Sequence, residues 1–81
     1  MTPEQCYLQD VLAELIKCAR QAKMSSRMKR VGQTPEESAF EEGRALAYYE
    51  VVSTLINQGN AFGLPRDVLP VLDFDVNKEL L

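Results

Sequence analysis

Histidine and tryptophan are both missing from this chain of 81 residues. Without histidine, the commonest general base near neutral pH and the commonest transition-metal ligand are gone together. No apolar run approaches the roughly 20 residues that cross a bilayer, and no charged start leads into a signal-peptide core, so a cytoplasmic chain without membrane contact is expected. There are only two cysteines, Cys6 and Cys18. Twelve residues apart on one helix, they would stand about 18 Å from each other. A disulfide needs Cα atoms within about 7 Å, so no bridge joins them on that reading, which fits a reducing compartment.

What is present is ordinary for a small globular chain. The apolar share is 46% and the net charge −3. One domain over residues 1–81 is expected. A chain this short buries only roughly 60% of the surface it exposes when unfolded, so it gains from a partner.

Two helix starts are written in the same form, Thr2-Pro3-Glu4-Gln5 and Thr34-Pro35-Glu36-Glu37. The threonine caps free N–H groups, proline occupies the first helical position, and Gln or Glu three residues after the cap can close a capping box. The spacing predicts a first helix from Pro3 to about Met24 or Met28. Its apolar stripe is Leu8, Val11, Leu12, Leu15, Ala19 and Ala22, with Ile16 and Cys18 at the margins. A link over Lys29 to Gln33 contains Gly32 as terminator and makes the next helix an antiparallel neighbour. The second helix is predicted from Pro35 to about Gln58, with Gly59-Asn60 as its stop.

This second helix carries two apolar stripes. Phe40, Gly43, Ala47, Val51 and Leu55 form one; Ala45, Tyr49, Val52 and Ile56 form the other, with Tyr48 between them. Glu42, Glu50, Ser53 and Asn57 leave a narrow polar strip. Ala39, Gly43 and Ala47 form a ridge of small residues that invites close packing, against the first helix or across a two-fold axis. The tail, Ala61 to Leu81, is apolar but interrupted by Gly63, Pro65 and Pro70. A helical turn over Pro65–Leu69 and a short helix from Val76 to Leu81 capped by Asp75 are expected there. The fold class is therefore all-α: an antiparallel hairpin of two long helices followed by a short, proline-broken tail.

Charge is segregated along the chain. Residues 15–35 hold six cations and no acid, while residues 1–14 carry −3 and residues 36–81 carry −6. The cations can lie on a solvated face and complement the helix dipole, or pair with Glu36, Glu37, Glu41 and Glu42 within or between chains. A phosphate contact through Arg20, Lys23, Arg27 and Arg30 is the third reading, disfavoured by the acidic total and the lack of interleaved aromatics.

No constellation for chemistry stands out. Glu37 and Glu41 lie one turn apart, but a carboxylate metal site in a helical bundle also uses histidine. Cys6, Cys18 and Ser53 lack a histidine base, and no glycine-rich phosphate loop occurs. No catalytic, cofactor-binding or metal-binding residue is expected. The reading is a non-catalytic interaction module, a homodimer meeting through Ala45, Tyr48, Tyr49, Val52 and Ile56 of the second helix. A different protein partner on the same stripe is not distinguished from it. A small nucleic-acid-associated or regulatory module using the basic segment 17–30 is the alternative.

Overall fold

The computed structural model describes residues 2–28 and 30–81. Its elements run α1 (Pro3–Arg27), α2 (Pro35–Ala61), a 3-10 turn η1 (Pro70–Asp73) and α3 (Val76–Leu80). The long helices pack antiparallel, and the tail crosses one face of the hairpin so that η1 and α3 touch both of them. No strand occurs among the described residues.

The caps act as their residue types dictate. The Thr2 hydroxyl accepts from the Gln5 N–H at 3.1 Å while Gln5 Oε1 accepts from the Thr2 N–H at 2.8 Å, a closed capping box. Thr34 accepts from the Glu37 N–H at 3.1 Å. α1 continues through Ser25-Ser26 to Arg27, with the Ser26 hydroxyl donating back to the Lys23 carbonyl, 2.7 Å away. Gly32 takes the left-handed conformation in the turn (φ +81°), and Lys29, where the link was expected to start, lies outside the described residues.

The end of α2 departs from expectation. The helix passes through Gly59-Asn60 and stops at Ala61. The left-handed residue is Gly63 (φ +67°), whose N–H reaches the Asn60 carbonyl, while the Leu64 N–H reaches that of Gly59 at 3.0 Å. Gly59 serves packing instead of termination. A Cβ built there would stand 2.6 Å from Leu72 Cδ2, so that methyl would have to shift to admit any larger residue. Gly43 is the opposite case: nothing lies within 4 Å of a Cβ placed on it, so the small-residue ridge does not pack on α1.

The two glycines predict opposite signs. Gly43→Ala is expected to stabilise by about 0.5–1 kcal/mol through helix propensity alone. Gly59→Ala gains the same term but overpacks Leu72, at a cost of about 1–3 kcal/mol, and is expected to lower the urea midpoint. Two shifts of the same sign would sink this account of Gly59.

In the tail, the Leu69 N–H bonds the Pro65 carbonyl at 2.9 Å, which forms the expected turn. The 3-10 turn after it was not foreseen. Pro70 fixes φ at its first position and lacks an N–H, so it can begin such a turn but not continue a longer helix from Leu69. Asp75 caps α3 by accepting from the Lys78 N–H at 3.1 Å.

Burial gathers in two adjoining groups. Ile16 and Ala19 of α1 meet Val52, Ile56 and Leu80, ringed by Tyr48, Tyr49, Val71, Phe74 and Val76. Leu12 meets Leu69 and Leu72. Ala22 is also fully buried, and among the described residues no charged or polar one is.

Candidate interaction surface

The tail divides the hairpin into two unlike faces. On the covered face, Ile16 and Leu12 of α1 and Val52 and Ile56 of α2 pack against tail residues. Arg20 lies over the Phe74 ring, 5.0 Å from its centroid, and the Tyr49 hydroxyl donates to Asn77 Oδ1 at 2.7 Å. Two contacts that combine an apolar body with a polar tip thus hold the tail on either side of the seam.

This arrangement corrects the interface expected from the sequence. Val52 is 1% exposed and Ile56 6%, both inside the chain's own core. Tyr48 and Tyr49 pack around that core, and Ala45 is half-buried. The stripe assigned to a second molecule is therefore occupied by α1 and by the chain's own Leu80, with Val71, Phe74 and Val76 around it. The physical reason is the tail's apolar yield. Leu72 over Gly59, Leu80 against Val52 and Ile56, and Leu69 against Leu12 are enough to cover a flank that the two prolines were expected to leave partly bare.

The stripe that was expected to pack inward lies outside. Phe40 is 68% exposed, Val51 47% and Leu55 36%, with Ala47 and Gly43 also open to solvent and Phe62 at 79% just beyond the helix. At 100° per residue, Val51 and Leu55 lie on the flank of α2 opposite Tyr49 and Ser53. The same geometry places Val11, Leu15 and Cys18 on the flank of α1 opposite Ile16 and Arg20. Those three are half-buried, and Leu8 beside them is exposed. Together they make an apolar trough along the side of the hairpin that the tail does not reach. Sequence reasoning placed Leu8, Val11 and Leu15 in the core stripe; the breadth of that stripe, with Cys18 at its edge, was the available sign that one neighbour could not cover it.

The basic residues do not form one flat surface. Arg27 and Arg30 are exposed, Lys23 is half-buried in a shallow pocket with Glu42, Ala45 and Tyr49, and Arg20 is engaged with Phe74. Arg44 lies over the Tyr48 ring at 5.5 Å. Among the described residues the one ion pair is Arg66–Asp73 at 3.4 Å, while Arg30 shares a surface recess with Glu36, Glu37 and Glu41 without closing to ion-pair distance.

An open polar cleft of about 490 Å³ separates α2 from the tail, lined by Ser53, Asn57, Asn60, Asp73, Asp75 and Asn77 among others. Its acceptors are largely used internally: Asn60 takes a bond from Arg66 at 2.8 Å, Asp73 pairs with the same guanidinium, and Asp75 caps α3. No group of three or more metal-ligating side chains gathers among the described residues, and no helix there is long and apolar enough to cross a membrane. Comparison with protein-family models, with curated proteins and with solved structures finds no match to this chain.

Proposed function

We propose that this chain is a non-catalytic, cytoplasmic protein–protein interaction module that forms a homodimer through the tail-free face of its hairpin. One observation carries the reading: Leu8 on α1 and Val51 and Leu55 on α2 are exposed on the flank that the tail does not reach, beside the half-buried Val11 and Leu15.

Area arithmetic argues for a second copy as the occupant. A compact monomer of this mass should expose about 4,900 Å². This chain exposes 5657 Å². The excess of about 760 Å² is close to the ~800 Å² that each partner buries in a standard interface. The shape agrees with the area. The radius of gyration is 14.8 Å, against about 12 Å for a compact domain of this length. On the tail-free side the hairpin is one layer thick, and helices in water are stable when a second layer closes over them. Two hairpins face to face would complete a four-helix bundle with a tail on each outer side.

The double variant Val51→Glu/Leu55→Glu tests this. Light scattering on the unsubstituted chain is expected to give twice 9.1 kDa, and the variant the single mass with its helical circular dichroism retained. An unsubstituted chain that stays at the single mass up to about 100 μM removes the proposal.

The nucleic-acid alternative, through Arg20, Lys23, Arg27 and Arg30, has weaker support. Lys23 is half-buried, and of the three exposed cations Arg20 lies over the Phe74 ring, so the four do not present one free basic surface.

A further inference from the structure

We infer that the two copies meet α2 against α2, with Ala47 at the middle of the contact and Phe40, Val51 and Leu55 of each copy around it. The inference rests on the self-association proposed above and names the helix that carries it.

Exposed apolar surface on the tail-free side is concentrated on α2. Phe40 is 68% exposed, Val51 47% and Leu55 36%. From Phe40 to Leu55 the row runs about 22 Å along the helix, with Gly43 and Ala47 open to solvent between the large side chains. α1 offers less. Val11, Leu15 and Cys18 are already half-buried, and the exposed apolar side chains of this flank are confined to the first two turns of α1, at Tyr7 and Leu8. Beside them Glu14 and Gln21 are exposed. Association is favoured by the apolar area it removes from water, so a second copy gains most by covering α2. In a two-fold pair the same patch faces itself. A patch centred on α2 therefore sets α2 on α2.

The relief of the row suits such a contact. Nothing lies within 4 Å of a Cβ placed on Gly43, so the fold leaves the space above it unused. Gly43 and Ala47 are low, and Phe40, Val51 and Leu55 stand above them. Two helices can come close at the middle while the large side chains close around the crossing. This holds whether the two helices run parallel or antiparallel, because Ala47 lies in the middle of the row. The guanidinium of Arg44, beside the row, lies 5.5 Å from the Tyr48 centroid, a partner it keeps when the row is covered.

Gly43→Leu separates this contact from any other. It adds apolar surface at an open position, so a pair that met elsewhere on the flank would be unaffected or tightened. A pair closed over Gly43 would be forced apart. Sedimentation equilibrium is expected to give a dimer Kd raised about tenfold or more, with helical circular dichroism retained. An unchanged or lower Kd overturns the inference and leaves the self-association standing. A single mass for the unsubstituted chain up to about 100 μM overturns both. Should Gly43→Leu fail to fold, Ala47→Cys gives an independent reading. Facing Cα atoms at the close approach lie within the roughly 7 Å that a disulfide needs. Mild oxidation with copper–phenanthroline is then expected to link two copies through residue 47, located by peptide mass mapping. A dimeric Ala47→Cys chain without that link overturns the inference.

Discussion

Val52→Asp is expected to abolish the folded state. Val52 is 1% exposed at the point where α1, α2 and the tail converge, and no buried polar or charged residue accompanies it there. A carboxylate left in that place without a partner costs about 3–5 kcal/mol. A chain of this length has roughly 4–12 kcal/mol in total, and an elongated one with an open face belongs near the lower end. The expected outcome is loss of most of the 222 nm ellipticity without denaturant. Val51→Glu, one residue away and about 100° around the helix, is expected to keep that signal because its side chain points to solvent. A Val52→Asp chain that melts cooperatively at the native urea midpoint would mean that Val52 does not occupy the core.

Deleting residues 64–81 is expected to have an effect of similar size by a different route. Leu69, Leu72 and Leu80 are each 4% exposed or less. At about 1.5–3 kcal/mol for each buried leucine, their loss removes on the order of 5–9 kcal/mol, comparable to the whole stability. It also uncovers Leu12, Ile16, Val52 and Ile56, so the hairpin would show apolar surface on both faces. Such a chain should bind a hydrophobic dye, sediment as large species and lose its cooperative urea transition. A truncated chain that remains monodisperse with a sharp transition would make the tail dispensable, and with it the assignment of the tail-free face as the one that associates.

Much of the fold was legible because its signals are local. Thr2 and Thr34 need only the three residues that follow them to cap a helix, and Asp75 does the same for α3. The positions of α1 and of the start of α2 follow from those caps and from the apolar period. The end of α2 was misread because Gly59 and Gly63 look alike in sequence. A glycine at a helix end can supply a left-handed turn or make room for a neighbour. Only the presence of Leu72, thirteen residues further on, decides that Gly59 does the second. The same limit applies to Gly43, whose place in a small-residue ridge implied a close neighbour that the fold does not bring to it.

The sequence by itself determined that this chain forms two long antiparallel helices and that the second has more apolar circumference than one neighbour can cover. Which of its two stripes turns inward was decided by tertiary structure alone. Hydrophobic burial is non-directional and nearly proportional to area, so stripes of similar apolarity on one helix are close to equivalent until something distant distinguishes them. The distinction comes from the tail: Leu72 fits over Gly59, and Asn77 accepts the hydroxyl of Tyr49. Both contacts lie on the Val52–Ile56 side, and they leave Phe40, Val51 and Leu55 facing water.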